Sequence, residues 1–200
     1  MEEKPKVTIW SDGACKGAGG IGGYGSILLW NNKRLDLCEA FRSTTNNRME
    51  LMGAIAGLEA LTVPCDVVVN SDSRYLVDTV TFNYFASWQR KGWKTSSGSH
   101  VKNIDLWERL LDQLKIHSAK FVWVKGHAGV ELNEAADRLA NLAIKFTETF
   151  SHDHPYEAEC RATKADYKPQ ANVKYEYLTP LVFKVAKTRK PRAKDFRYKL

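Results

Sequence analysis

Four acidic residues occupy positions where an acidic side chain needs an explanation. Asp12 and Asp72 each follow a strand-like segment, while Glu50 and Asp137 lie in the first turns of two segments with helical apolar spacing. Taken singly, each has an ordinary explanation as a turn residue, a helix cap or a surface charge. Taken together they predict one site, because clustered carboxylates repel one another unless cations neutralise them.

The chemistry that such a cluster permits is metal-assisted hydrolysis. Oxygen ligands favour Mg²⁺, with Mn²⁺ as a possible substitute. Two such ions about 4 Å apart can activate a water and stabilise the leaving oxygen of a phosphodiester displacement. The loop Lys125–Gly129 contains a histidine. Its imidazole can relay protons near neutral pH, although a histidine between two glycines can also be an ordinary loop residue. The predicted catalytic residues are Asp12, Glu50, Asp72, His127 and Asp137, of which the four acids are the predicted metal ligands.

The elements that must position these residues follow from hydrophobic periodicity and turn signals. Three strands in an antiparallel meander precede a helix, and two further strands are each reached through helices, which allows them to be parallel to the first. We therefore predict an α/β fold with a five-stranded mixed sheet, three antiparallel then two parallel strands, flanked by helices. The predicted strands are Lys6–Ala14, Gly25–Trp30, Leu35–Arg42, Asp66–Asn70 and Lys120–Val124. The predicted turn between the first two strands is the glycine-rich segment Gly17–Gly25. The predicted helices are Thr45–Leu61, Tyr75–Phe85, Asn103–His117 and Glu131–Phe146.

Composition excludes several classes of protein. Hydrophobic residues make up 44% of the chain and charged residues 26%, as in globular proteins. There is no apolar run of about 18 residues and no apolar core of a signal peptide, so we expect a cytoplasmic protein that makes no use of a membrane. The four cysteines lack the spacing of a zinc site and are expected to be free thiols.

The net charge of +7 is unevenly distributed. Residues 151–200 contain 12 Lys and Arg against 6 Asp and Glu, whereas residues 1–150 contain 18 against 17. We predict a catalytic domain over residues 1–149 and a basic, largely flexible extension over residues 150–200. The extension has three interpretations: it binds nucleic acid, it docks a partner such as a replication protein through Leu181–Val185, or it is disordered with weak affinity for nucleic acid. The third is the one we favour.

Six motifs in this chain resemble type 1 ribonuclease H, close to its bacterial form, in both order and spacing. They are SDGACKGAGGIGGYG, TTNNRMELMGAIAGLEAL, SDSRYLVDTV, WQRKGWK with VKNIDLW, WVKGHAG and NEAADRLA, and together they cover roughly residues 5–147. The resemblance implies a monomeric endonuclease that hydrolyses the RNA strand of RNA–DNA hybrids with two divalent metal ions, leaving 5′-phosphate and 3′-hydroxyl ends. It assigns the metal and proton-relay roles to the same five residues.

The resemblance also implies the substrate contacts. Thr45 and Asn103 match a pocket for a phosphate of the DNA strand, Asn46 and Asn47 match minor-groove contacts, and Arg74 matches a position that faces a base edge. Amide side chains suit the recognition of a hybrid, which is distinguished by 2′-hydroxyls and groove shape. A basic and aromatic protrusion resembles the family's substrate handle and consists of Trp88, Arg90, Lys91, Trp93 and Lys94.

Two positions depart from the family pattern. Ala18-Gly19 stands where the family usually has Asn-Pro, and Arg74 stands where bacterial relatives often have Gln. Two alternatives to an endonuclease were weighed: a non-catalytic binding module of the same fold, and the ribonuclease part of a polymerase assembly. The intact acidic set and His127 argue against the first alternative. The absence of polymerase sequence argues against the second.

Overall fold

The computed structural model describes residues 3–146, 150–163 and 181–183. Three strands, a helix, a fourth strand, a group of helices, a fifth strand and a long helix follow one another in the predicted order, and a further helix and a short strand come after them. The strands are β1 (Lys6–Cys15), β2 (Gly20–Trp30), β3 (Lys33–Thr44), β4 (Asp66–Ser71), β5 (Ser118–Trp123) and β6 (Leu181–Phe183), and the helices are α1 (Asn46–Glu59), α2 (Arg74–Thr81), α3 (Tyr84–Arg90), α4 (Ile104–Ile116), α5 (Glu131–Phe146) and α6 (His154–Thr163).

The sheet has the mixed topology that the sequence predicts. Its order is β5-β4-β1-β2-β3-β6, with β1–β2 and β2–β3 antiparallel and β1–β4 and β4–β5 parallel. The predicted five-stranded arrangement is therefore confirmed, and short β6 adds an antiparallel edge next to β3. Parallel pairing of β1 with β4 is the feature that matters for function, because it brings the ends of two distant strands to one edge.

Helices cover both faces of the sheet. On one face, β-strand residues such as Leu28 and Phe41 pack with α1 and α4 in the larger core, which also contains Trp107 at 0% exposure. On the other face, the alternate residues Ile27 and Cys38 pack against α5 in a smaller core. This alternation follows from the two-residue period of strands, in which successive side chains point to opposite faces of the sheet.

Glycine lets the two layers approach closely where the acidic residues meet. A Cβ atom at Gly13 would collide with the backbone nitrogen of Glu50 and lie 2.5 Å from the carbonyl carbon of Met49. The start of α1 therefore rests directly on β1, beside Asp12. This contact is the structural reason that a helix residue and a strand residue separated by 38 positions reach one site.

Two boundaries differ from the prediction. Gly17–Gly25 was predicted as a turn, but β2 begins at Gly20, because glycines in this strand leave room for the backbone of α5 and for side chains of α1 and β3. The predicted helix Tyr75–Phe85 is two helices, because Asn83 has a φ of 51° and interrupts helical hydrogen bonding between them.

Within the described ranges, no helix has the length and apolar character needed to cross a membrane. The predicted division after residue 149 stays a prediction. Contacts nevertheless continue across it, since the backbone N–H of Ser151 donates to the carbonyl of Ala40 at 2.8 Å and Arg42 N–H donates to the carbonyl of Ser151 at 3.1 Å. Most of the segment Leu181–Val185 lies in β6, and residues 164–180 and 184–200 lie outside the described part of the chain.

Candidate active site

Register between β1 and β4 places two aspartates at the same height. Trp10 pairs with Asn70 in the parallel ladder, so Asp12 and Asp72 both follow two residues after this pair. Asp12 is 7% exposed, and one of its carboxylate oxygens accepts a hydrogen bond from the Gly13 backbone N–H at 2.7 Å. Asp72 is half-buried, and its Oδ2 accepts a hydrogen bond from the Asn133 side-chain amide at 3.0 Å.

Glu50 reaches the same edge from the first turns of α1. Its Oε1 accepts a hydrogen bond from the Asn46 side chain at 2.8 Å, and its Oε2 accepts a short hydrogen bond from the hydroxyl of Ser73. Ser73 also caps α2 by accepting from the backbone N–H of Leu76. The carboxylate is thus oriented from both sides before any ligand binds.

The remaining two predicted residues close the site. Asp137 lies on α5, where its Oδ1 accepts from the Asn141 side chain at 2.9 Å, and His127 is exposed in the loop before α5 with a φ of 51°. All five predicted catalytic residues line one open cleft of about 470 Å³. Its lining is Asp12, Gly13, Ala14, Cys15, Asn46, Glu50, Asp72, Gly126, His127, Asp137 and Asn141.

Electrostatics show that the cleft holds more negative charge than the protein neutralises. The pKa of Asp12 is raised to about 8. Burial is the largest cause, and the charges of Asp72, Asp137 and Glu50 act in the same direction, while the hydrogen bond from the Gly13 N–H acts against them. Burial and the charge of Asp72 likewise raise the pKa of Glu50, although Ser73 and Asn46 lower it. A cation in the cleft would remove this repulsion.

The donor set fits hard divalent cations. Four carboxylates offer oxygen ligands, a donor set that favours Mg²⁺ or Mn²⁺ over zinc, and Cys15 and His127 also line the cleft. A Cβ at position 126 would lie 2.5 Å from the Asp72 Oδ2, so the glycine keeps the loop backbone against this carboxylate. The structure therefore brings the residues that the sequence singled out together around one open cleft.

Sequence reasoning missed the residues that hold the acids in place. Ser73 and Asn133 orient Glu50 and Asp72, and Asn141 orients Asp137. One signal was available: Asn133 and Asn141 lie four residues before and four residues after Asp137, so all three share one face of α5. Ser73 was recognised only as a possible helix cap, because its contact with α1 is a tertiary contact.

A second cavity of about 470 Å³ gathers most of the predicted contacts to the DNA strand. Thr45 caps α1 by accepting from the backbone N–H of Arg48, and Asn103 precedes α4 with a φ of 60°. The full lining is Cys15, Gly17, Ala18, Thr45, Asn46, Asn47, Lys102, Asn103, Tyr156 and Glu159. Two of these residues, Tyr156 and Glu159, come from α6, in the extension that the sequence predicted to be largely flexible.

Arg48 connects this second cavity to the extension. Its guanidinium makes bidentate contacts with Asp105 at 2.6 and 2.9 Å and with Asp153 at 2.6 Å from both Nε and Nη2. Its Nη1 also lies 3.5 Å from the Oδ1 of Asn103, and Asp153 accepts from the hydroxyl of Thr44 at 2.6 Å. This network joins α1, α4 and the segment before α6, because its members come from all three. Arg48 and Asp153 are both buried.

The predicted handle combines packed aromatic residues with exposed cations. Trp88 packs edge-to-face on Phe85 at 6.0 Å and tilted on Trp107 at 5.8 Å, and Trp93 lies 6.4 Å from Trp88. The basic residues Arg90, Lys91 and Lys94 are exposed.

Arg74 is the first residue of α2, two residues after Asp72. Its guanidinium stacks over the indole of Trp123 at 3.6 Å from the ring centroid, and it forms a 3.5 Å ion pair with Asp78. The same indole donates its N–H to the backbone carbonyl of Asp72 at 3.0 Å.

Comparisons with known proteins agree with this geometry. The family model for RNase H matches residues 4–145. A ribonuclease H from Rippkaea orientalis is 52% identical over 158 residues, covering 78% of this chain and 96% of the relative. A ribonuclease HI from Caulobacter vibrioides is 49% identical over 141 residues, covering 70% and 94%. Among solved structures, LC9-RNase H1 superposes with a TM-score of 0.67 at 29% identity, covering 86% of this chain and 91% of that one.

Proposed function

Since the chain belongs to the ribonuclease H family, the hydrolases that cleave the RNA strand of RNA–DNA hybrids, we propose that it performs this cleavage at the four-carboxylate cleft. In this proposal the reaction is an endonucleolytic hydrolysis by a two-metal-ion mechanism, and the products carry 5′-phosphate and 3′-hydroxyl ends. The single observation that carries the proposal is the convergence of Asp12, Glu50, Asp72, Asp137 and His127 on one cleft.

The four carboxylates hold the metal ions, Mg²⁺ with Mn²⁺ as a substitute. When bound there, two such ions would neutralise the acidic cluster, polarise the scissile phosphate and lower the pKa of a bound water. Hydrogen bonds from Asn46, Ser73 and Asn133 hold Glu50 and Asp72 in orientation, which reduces the reorganisation needed when ions and substrate arrive. These partners support a preorganised site.

His127 moves a proton in the proposed mechanism. Its imidazole lies at the exposed rim of the cleft, in a loop that is otherwise free to approach bound substrate. A neutral imidazole nitrogen there can accept a proton released during attack on the phosphate and return it to solvent. The buried acids cannot take this role while they are bound to cations.

In this proposal neutral and basic groups beside the four carboxylates bind the substrate. Thr45 and Asn103 would hold a phosphate of the DNA strand, while Asn46 and Asn47 would contact the minor groove. Arg74, held flat by Trp123, would present its guanidinium next to Asp72. Together these contacts would set the distance between the DNA strand and the scissile RNA phosphate.

The remaining expectations are part of the same proposal. The enzyme acts as a cytoplasmic monomer, residues 1–149 form its catalytic domain, and residues 150–200 form a basic extension that touches nucleic acid or a replication protein.

A cleavage assay tests the reaction and its chemistry. We expect a hybrid with a labelled RNA strand to be cut with Mg²⁺ and left intact with EDTA, while single-stranded RNA and duplex DNA resist cleavage under both conditions. The new ends should be 5′-phosphate and 3′-hydroxyl. Cleavage that survives EDTA would refute the metal mechanism, and products with 2′,3′-cyclic phosphate would show that the 2′-hydroxyl and not a water attacks.

Neutralising the handle should weaken binding and spare chemistry. Alanine at Arg90, Lys91 and Lys94 is expected to raise KM about 10-fold at physiological salt with kcat nearly unchanged, and to reduce the slope of log KM against log salt by about 2, since each phosphate contact contributes about 0.7–0.9. A variant with alanine at the exposed Lys33, Lys115 and Lys120 makes the same change in net charge elsewhere. Equal effects in the two variants would mean that only net charge matters.

A further inference from the structure

A second group of possible metal ligands lies outside the catalytic cleft, at the start of α6. Ligand-capable atoms of His152, His154 and Glu157 all lie within 4.8 Å of one another. His154 and Glu157 are three residues apart in the first turn of α6, so they share one face of the helix. The two imidazole rings stack nearly parallel, with centroids 5.0 Å apart and an interplanar angle of 9°.

The arrangement is close to what a bound ion requires. Zinc bonds of about 2.0–2.2 Å in tetrahedral geometry place neighbouring ligand atoms roughly 3.3 Å apart. The Nδ1 of His152 already lies 2.8 and 2.9 Å from the two carboxylate oxygens of Glu157. His154 is exposed, and its ligand-capable nitrogen lies within 4.8 Å of those of the other two residues.

The donor set differs from that of the cleft. Two imidazoles and one carboxylate suit zinc-type ions, whereas the four carboxylates suit Mg²⁺. Three protein ligands would leave a fourth position for water. An ion between His152 and Glu157 would replace the hydrogen bond that joins them.

The position of the cluster tells what an ion there would do. Asp153, which lies between the two histidines in sequence, is buried and paired with Arg48 and Thr44. The same helix supplies Tyr156 and Glu159 to the cavity that contains Thr45 and Asn103. An ion bridging His152 to the first turn of α6 would therefore fix the wall of that cavity against the body of the protein.

We propose that His152, His154 and Glu157 form a second metal site, for a zinc-type divalent ion, which ties the first turn of α6 to the segment that Ser151 anchors on β3. The site is independent of the cleavage mechanism, since none of its three residues lines the catalytic cleft.

Titration of the full-length protein with Co²⁺ in excess Mg²⁺ tests the proposal, because Co²⁺ reports its ligands through visible absorption. We expect one equivalent to bind to the unaltered chain, and binding to weaken at least 10-fold in His154→Ala. The matched control is His100→Ala, which removes an exposed histidine from another loop and should bind as the unaltered chain does. Since His154 is exposed, its replacement should leave the fold and hybrid cleavage in Mg²⁺ intact.

A thermal measurement supplies a second readout. Zn²⁺ should raise the melting temperature of the unaltered protein and of His100→Ala, and should leave that of His154→Ala unchanged. Equal Co²⁺ affinity in the two histidine variants, or no binding at micromolar Co²⁺, would overturn the proposal. Either result would leave the cleavage function standing, because that function is measured with Mg²⁺ alone.

Discussion

Asp12→Asn is expected to abolish hybrid cleavage, lowering kcat by at least about 10³-fold, while it makes the metal-free protein more stable at pH 8. Activity falls because a central ligand is lost from the cleft. Stability rises because an amide at this buried position carries no charge to be repelled by Asp72, Asp137 and Glu50. Opposite effects of one substitution on activity and stability are typical of residues held in place for function.

The sign of the stability effect follows from the pKa. Folding raises the pKa of Asp12 from 3.8 to about 8, so the folded, metal-free protein retains a proton that the unfolded chain loses. The contribution of Asp12 to stability is therefore fully present below about pH 4 and is lost as pH rises toward 8. We expect Asp12→Asn to remove this loss and to gain up to about 5 kcal/mol at pH 8, since each pKa unit corresponds to about 1.4 kcal/mol, or up to roughly 10–20 °C in melting temperature.

Melting curves in EDTA between pH 5 and pH 8, together with cleavage assays in Mg²⁺, measure both effects. Mg²⁺ should raise the melting temperature of the unaltered protein at pH 8 and should have less effect on Asp12→Asn. Asp66→Asn makes the same chemical change at the far end of β4 and should alter neither property. A destabilised Asp12→Asn protein, or one that still cleaves, would contradict the assignment of Asp12 as a repelled metal ligand.

Arg48→Met is expected to produce the largest loss of stability, about 3–5 kcal/mol, because it leaves a buried carboxylate without its cation. Side chains of Arg48 and Asp153 are 3% and 5% exposed, and methionine can fill the space of the arginine stem without its charge. Asp105, which is 33% exposed, can return to water and should contribute less to the loss.

Matched substitutions separate burial from ion pairing itself. Arg109→Met breaks a bidentate pair with Glu59 at 2.5 and 2.6 Å, but these side chains are 42% and 32% exposed, so we expect a loss below about 1 kcal/mol. The double variant Arg48→Met with Asp153→Asn should recover part of the loss, because the stranded charge is removed. Urea denaturation measures all three; equal losses for Arg48→Met and Arg109→Met would refute the buried-network interpretation.

The Arg48 network also bears on substrate binding. Arg48 lies 3.5 Å from Asn103, so any Arg48 variant that remains folded should show a higher KM before it shows a lower kcat. The extension contributes Asp153 to this network. A basic tail predicted from its composition to be largely flexible therefore begins with a segment that supports the predicted DNA-strand cavity.

Local sequence was sufficient for most of the fold. The helical spacing of apolar residues predicted α1, α4 and α5 close to their observed bounds, and short apolar segments predicted β1 and β4, because periodicity and apolar runs report burial. It failed at the glycines of β2, where the residue that usually marks a turn serves instead to admit the backbone of α5. The prediction from local sequence also failed at Asn83. The apolar spacing around Asn83 predicts one continuous helix, but its left-handed conformation divides that helix in two.

Residue types and their spacing are enough to predict the candidate site: four acids at strand ends and helix starts, one loop histidine, and a basic protrusion. Local patterns carry these properties. The groups that orient the acids, the burial of Asp12 and the network that Asp153 completes around Arg48 follow only from the folded chain. Each of these depends on contacts between residues far apart in the chain, and such contacts leave no period in the sequence.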